Sequence, residues 1–122
     1  MTEKTRTFES GANRNSDEGK LDYEGALSPL VLHRYAEYMH GHRQLEDGTL
    51  RDSDNWQQGM PLSVYMKSLW RHHWLVWTCH RQWEPGHMLE DALCGVIFNA
   101  SGYLHELLVK KAHSGATRPT PR

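Results

Sequence analysis

The residues best suited to chemistry lie on one face of a predicted helix in the C-terminal third of the chain. Asp91, Gly95 and Asn99 are spaced four residues apart, and Glu106 lies two turns further along. This spacing stacks side chains on one side of a helix. A carboxylate and an amide so placed can hold a divalent metal or a polar ligand head, and the glycine admits a close neighbour. The alternative interpretation is a solvated face that another helix crosses at glycine.

The Arg71-His72 pair on the preceding predicted helix is a second candidate. A guanidinium suits phosphate because its planar fork binds pairs of oxygens, although an ordinary surface arginine is equally consistent. Zinc spacings such as Cys-x-x-Cys and His-Glu-x-x-His are absent despite nine histidines. His73 and His80 fall within an apolar stripe and are predicted to be hydrogen-bonded core histidines. The sequence also lacks a phosphate-binding P-loop and a Gly-x-Ser-x-Gly motif.

Three predicted helices must position these residues. Ser28 is a suitable N-cap and Pro29 a suitable first helical residue, and Gly41 ends that helix. The second helix is predicted over 61–83 and the third over 87–111, from apolar residues at helical spacing. No segment alternates as a strand. We therefore expect an all-α fold, a small helical bundle of three main helices.

The chain of 122 residues fits a single domain. The polar segment 1–19 is predicted to be an irregular arm, 20–111 a single helical domain, and the proline-rich segment 112–122 a disordered tail. The connection 44–60 between the first and second helices is long, as functional or mobile loops often are.

The apolar faces of the second and third helices are expected to form the core. On the second helix, the stripe comprises Leu62, Tyr65, Met66, Leu69, His73, Val76, Trp77 and His80. On the third, it comprises Leu93, Val96, Ile97, Ala100, Leu104, Leu107 and Leu108. Four tryptophans cluster between positions 70 and 83, and a domain this small cannot easily bury them all. We therefore expect a homo-oligomer formed through the second helix.

Composition argues against several partners. The formal net charge is −1, without the basic excess typical of proteins that bind nucleic-acid polymers. No apolar run approaches the roughly 18–20 residues that cross a membrane, and residues 1–14 lack a secretory signal. Cys79 and Cys94 are predicted to be buried free thiols in a reducing compartment. We expect a cytoplasmic protein without a membrane partner.

Four groups of motifs occur in the order found in one family. Ser10-Gly11-Ala12-Asn13-Arg14, with Gly19-Lys20 and Asp22, resembles its N-terminal signature. The segment 54–60 is similar to its Asn-Trp-x-x-Gly loop, and 68–72 to its Arg-His helix. Glu90-Asp91-Ala92-Leu93, followed by Phe98-Asn99-Ala100, resembles its last helix. Over roughly residues 8–108, the chain resembles the phage-associated family named dATP/dGTP diphosphohydrolase, N-terminal domain.

This resemblance implies hydrolysis of a purine deoxynucleoside triphosphate to the monophosphate and pyrophosphate, a role like that of MazG-like enzymes. It implies Mg²⁺, or Mn²⁺, held by Glu90 and Asp91, with Asn99 orienting water or phosphate. It also implies the cytoplasm of a bacterial host. Further contacts to the substrate are implied for Arg71, His72, Lys20, Arg14, Asn55 and Trp56, of which Trp56 would stack on the base.

Departures from the family pattern support a first alternative, a non-catalytic protein that binds or sequesters a nucleotide. Many relatives have His where this chain has Ala92, Glu90 and Asp91 are adjacent rather than three apart, and Glu37 is a lone carboxylate on the first helix. The second alternative is a helical protein–protein interaction module whose tryptophan cluster is a dimer interface.

Overall fold

A computed structural model of the chain describes residues 4–115 and is mostly helical. The helices are α1 (Tyr23–Ala26), α2 (Pro29–Gly41), α3 (Leu62–His80) and α4 (Leu89–His113). The strands are β1 (Thr5–Thr7) and β2 (Asn13–Asn15). The described residues divide into two units, 4–27 and 28–115. The three long helices all lie in the second unit, which confirms the expected all-α fold.

The first unit contains a small β-hairpin where the sequence predicted an irregular arm. β1 and β2 pair antiparallel, with Arg6 opposite Arg14. The N–H of Phe8 donates to the carbonyl oxygen of Ala12 at 2.8 Å and closes the turn. Each strand is three residues long and exposed on both faces. Because neither face is buried, no apolar alternation marks these strands in the sequence.

The start of α2 follows the predicted capping chemistry. The hydroxyl of Ser28 accepts the N–H of Val31 at 3.2 Å, and Pro29 occupies the first turn, where its missing N–H costs nothing. The helix ends at Gly41. These bounds confirm the prediction made from Ser28, Pro29 and Gly41.

The contact between α3 and α4 is built on two glycines of α4. The ring of Tyr65 packs against Gly102 and the ring of His72 against Gly95, so that a Cβ at either glycine would overlap the ring. Tyr65 and His72 are seven residues apart on α3, as are Gly95 and Gly102 on α4. The earlier residue of α3 contacts the later glycine of α4, and the later residue contacts the earlier glycine. α3 and α4 are therefore antiparallel and approach closely over about two helical turns.

The buried residues lie on this contact. They are Tyr65, Thr78, Cys79, Ala92, Cys94, Gly95, Asn99 and Gly102. The prediction of buried free cysteines is confirmed for Cys79 and Cys94. The helix crossing at glycine is confirmed as well, but the solvated face that was expected with it is wrong, because Gly95, Asn99 and Gly102 are buried.

The predicted core stripes are corrected. Leu93, Leu104, Leu107 and Leu108 of α4 are exposed. On α3, His73 and His80 are exposed rather than in a core, as are Met66 and Trp77. The reason is steric: glycine permits the closest approach of two helices, so the small and polar face of α4 turns inward and the leucines turn outward.

The hydropathy of α4 also corrects a prediction. Together with the preceding turn it forms a segment, Gly86–His113, that contains an 18-residue window of mean hydropathy 1.3, long and apolar enough to cross a membrane. Only 28% of that window is buried. One such helix is weak evidence for a membrane span, because core helices of water-soluble proteins pass the same test.

The helix α4 includes residues 112–113 of the predicted disordered tail, and residues 116–122 of that tail lie outside the described residues.

Replacing Gly102 with Ala tests the close approach of the helices. We expect G102A to lower the free energy of unfolding by about 1–3 kcal/mol, because the new methyl must displace the buried ring of Tyr65. Gly41→Ala is the matched control, since a Cβ at Gly41 meets nothing within 4 Å. Urea unfolding followed by circular dichroism measures both variants. Equal stability of G102A and G41A would contradict the proposed packing.

Candidate functional site

A cavity of about 350 Å³ lies among α2, α3, α4 and the segment 43–60. We call it the central cavity. Its helical walls carry aromatic and polar side chains: Tyr38, His42, Ser68, His72, Phe98 and Asn99. Its volume lies near the lower end of the range of small-molecule sites. The cavity therefore suits one small ligand rather than a polymer.

The segment between α2 and α3 is folded back on itself. The N–H of Arg51 donates to the carbonyl oxygen of Arg43, and Nε of Arg43 donates to the carbonyl oxygen of Arg51, both at 2.8 Å. Gln44 and Leu50 form an antiparallel bridge. This narrow reversal places the two arginines side by side in the wall of the central cavity.

The turn at the tip of this segment is fixed by Asp47. Its carboxylate accepts the N–H of Thr49 at 3.0 Å and the hydroxyl of Thr49 at 2.6 Å. These bonds lower the pKa of the Asp47 carboxyl below its usual value. The loop thus has an internal hydrogen-bonded structure that holds the reversal in place.

Trp56 attaches the rest of the segment to α4. It lies in a short 3-10 helix, Asn55–Gln58, and its ring meets the rings of His105 and Phe98 edge-on, at centroid distances of 4.9 and 6.2 Å. The carboxylate of Glu106 accepts the N–H of Met60 at 3.4 Å. Trp56 and Phe98 consequently form an aromatic wall of the central cavity.

The charge of the cavity wall is mainly cationic. Within residues 4–115, neither Arg43 nor Arg51 forms an ion pair with a carboxylate. Asp52 is the one acidic residue among the lining side chains described. Unpaired guanidinium groups in a concave site attract anions, and phosphate is the anion whose geometry they match best.

His72 is held neutral in the cavity wall. Burial, followed by the nearby charges of Arg71 and His42, lowers the pKa of His72 below its usual value. Its Nδ1 atom is buried without a hydrogen-bond partner. A proton on this ring would therefore lack a counter-charge, which makes His72 an uncharged polar surface at neutral pH.

Asn99 is almost fully buried and is fixed by its own helix. Its side-chain nitrogen donates to the carbonyl oxygen of Gly95 at 2.8 Å. Asn99 lines the central cavity, where its side-chain oxygen can accept and its second amide N–H can donate a hydrogen bond to a ligand.

Glu90 and Asp91 are bound to Arg34 of α2. Nε of Arg34 donates to Glu90 at 2.8 Å, and Nη2 donates to Asp91 at 2.6 Å. The hydrogen bonds that the guanidinium donates to Asp91 and, second, to Glu90 raise the pKa of Arg34 above its usual value. Beside this ion pair lies a second cavity of about 250 Å³, which includes Glu37 and shares Tyr38 and His42 with the central cavity.

The residues present do not fit Mg²⁺ in this arrangement. No group of three His, Cys, Asp or Glu side chains in the part of the chain that the structure describes could hold a metal. Arg34 binds both carboxylates predicted as ligands and offsets one of their two negative charges, and a cation at that point would meet the guanidinium charge. Their role as metal ligands stays a prediction.

The structure brings together four of the predicted site residues, His72, Asn99, Asn55 and Trp56, in the central cavity. Arg71 does not join them, because it lies in a surface depression with the tryptophans of α3.

Two predicted phosphate contacts belong to the first unit. Arg14 lies in β2, and Lys20 follows a turn in which its N–H donates to the carbonyl oxygen of Asp17 at 2.9 Å. Their roles stay predictions.

Sequence reasoning missed the pairing of Arg43 with Arg51 in the cavity wall. A signal for it exists: Asp47-Gly48, a strong hairpin dipeptide, lies midway between the two arginines. Reading that dipeptide as a chain reversal would have placed residues 43 and 51 opposite one another.

Comparison with known proteins gave no match: no family model, no curated protein and no solved structure matches this chain.

The lowered pKa of His72 predicts a pH-dependent stability. The unfolded ring binds a proton near its ordinary pKa of about 6.5, whereas the folded ring binds it only at lower pH. The free energy of unfolding should therefore fall as the pH drops below about 6.5, through the lowered folded value, and level off beneath it.

Thermal unfolding of the wild type and of His72→Gln over this range measures the effect. His33→Gln is the control, since His33 is exposed on α2. H72Q should show a weaker pH dependence than H33Q. An identical pH dependence in the two variants would refute the assignment to His72.

Proposed function

We propose that the protein binds a purine deoxynucleoside phosphate in the central cavity. The observation that carries the proposal is that two guanidinium groups without carboxylate partners, Arg43 and Arg51, share one cavity with the aromatic wall of Trp56 and Phe98. A nucleotide has the two matching parts, an anionic phosphate and a flat base. The choice of a purine deoxynucleotide rests on the motif resemblance.

The ligand would lie with its phosphate at Arg43 and Arg51 and its base against Trp56. The amides of Asn99 and Asn55 would meet the polar edge of the base, since both line the same cavity. Because aromatic stacking tolerates every base, discrimination between bases falls to these amides. Deoxynucleotides are cytoplasmic, and a cytoplasmic location, in a bacterial host for a phage protein, is part of the proposal.

Binding without metal is the form of this function that the geometry favours. Arg34 already binds both Glu90 and Asp91, at 2.8 and 2.6 Å. Release of those carboxylates would break two charge-assisted hydrogen bonds. A nucleotide-binding or nucleotide-sequestering protein is consistent with this arrangement.

Hydrolysis of dATP or dGTP to the monophosphate and pyrophosphate is the second candidate. It is supported by the position of Glu37 and Asp91, two carboxylates on different helices that line the same small cavity beside the central one. Phosphates extending from the central cavity past Tyr38 and His42 would reach these groups, because both residues line both cavities.

Arg51→Gln tests the phosphate contact. We expect R51Q to weaken binding of dATP and dGTP about 10–100-fold, the loss typical of one charge-assisted hydrogen-bonded contact. Arg71→Gln is the matched control, because Arg71 lies outside the central cavity. Isothermal titration calorimetry with and without Mg²⁺ gives the dissociation constants. Weakening by R71Q but not by R51Q would move the phosphate site away from the cavity.

Asp91→Asn tests whether the protein cleaves its ligand. If hydrolysis is the function, D91N should abolish pyrophosphate release from dATP and dGTP while Glu46→Gln, a change at an exposed loop carboxylate, leaves it intact. Circular dichroism of D91N shows whether the helices persist. Tight binding by the wild type with no product in any metal would leave nucleotide binding as the function and reject hydrolysis.

A further inference from the structure

One side of the α3–α4 pair carries a set of exposed apolar side chains. We call this set the outer face, and it comprises Met66, Trp70, Trp74, Trp77 and Leu107. Trp70 is 66% exposed, Trp74 53% and Trp77 44%. The rings of Trp74 and Trp77 also contact each other, with centroids 5.4 Å apart. These rings therefore form one apolar cluster on the surface.

The outer face lies on the side of the pair opposite α2. Successive helical residues turn by about 100°, so residues 66, 70 and 77 point to one side of the contact made by Tyr65 and His72. On antiparallel α4, residues 100 and 107 turn to that same side relative to Gly95 and Gly102. The other side holds Ser68 and Phe98, which line the central cavity against α2.

The exposed area is that of a protein interface. A tryptophan presents about 150–250 Å², so the three exposed tryptophans of α3 leave several hundred Å² of apolar surface uncovered. These residues alone reach the size of the largest apolar patch on a typical monomer, about 300–600 Å². Met66 and Leu107 extend the face toward the roughly 800 Å² that each partner contributes to a stable complex.

α4 gives independent evidence that this face is covered. Its most apolar window is only 28% buried, although its mean hydropathy of 1.3 is that of a core helix. A helix that is apolar on all sides is normally enclosed on all sides. Here α3 covers the glycine face, and Leu107 on the outer face is left 43% exposed.

The chemistry of the outer face suits a second copy of the same face. α3 contains no Asp or Glu, and the part of α4 between Ala92 and His105 contains no charged residue other than the titratable His105. Arg71 shares a surface depression with Trp70 and Trp74, and Arg81 lies over the ring of Trp77 at 5.8 Å. A two-fold interface must match itself, and tryptophan rings do so because they pack against one another and against guanidinium groups.

We propose that two copies of the chain pair through the outer face about a two-fold axis. Their α3–α4 pairs then form a four-helix layer with the tryptophans and leucines at its centre. The central cavity of each copy stays open on the other side. Dimerisation and ligand binding are therefore separable, and this proposal does not depend on the proposed function.

Sedimentation equilibrium of the full chain over a wide dilution series tests the proposal. We expect a species of twice the 14.2 kDa chain mass that dissociates on dilution. Trp74→Glu and Leu107→Glu, on different helices of the outer face, should each raise the dimer dissociation constant about 30-fold or more. Leu30→Glu is the matched control, because Leu30 is 84% exposed on α2, away from this face, and should leave the constant unchanged.

Three outcomes would overturn the proposal. The first is a wild type that stays monomeric at every concentration, and the second is that both W74E and L107E dimerise like L30E. The third is that the monomer binds anionic phospholipid vesicles and W74E abolishes that binding, which would make the outer face a membrane-binding surface. Circular dichroism checks the folding of each variant, and L107E decides the question if W74E does not fold.

Discussion

The close approach of α3 and α4 at two glycines is the constraint on which the helical unit depends. The rings of Tyr65 and His72 occupy the space that side chains at Gly102 and Gly95 would otherwise fill. Two flat rings against two bare stretches of backbone give a dense contact with few buried side chains. The same contact fixes the rotation of both helices about their axes, and with it the identity of every residue that faces the cavity or the solvent.

That rotation divides the α3–α4 pair into two sides with different chemistry. On one side, α2 and the folded segment 43–60 enclose a small cavity whose wall combines cations, amides and aromatic rings. On the other, tryptophan and leucine side chains stand exposed. A two-helix layer has two faces to cover, and within residues 28–115 the chain covers only the first.

Arg34 sets the electrostatics at the edge of the site. Its guanidinium joins α2 to the first turn of α4 by binding Glu90 and Asp91 together. The side chains of this ion pair are partly to largely exposed, so its structural value is to orient the groups rather than to stabilise the fold strongly. By holding both carboxylates, Arg34 offsets one of their two negative charges and occupies oxygens that a cation would need, whereas Arg43 and Arg51 attract anions in the central cavity.

The sequence alone determined the class of fold and the ends of the first long helix, because capping by Ser28 and termination at Gly41 are local interactions. It also identified His72 and Asn99 as site candidates from their place on helices. Only the tertiary structure decided which faces are buried. Periodicity fixes the spacing of apolar residues but not which stripe faces inward when a glycine stripe allows closer packing. Only the tertiary structure brings Arg34 to Asp91, because a contact between residues 57 positions apart depends on the path of the whole chain.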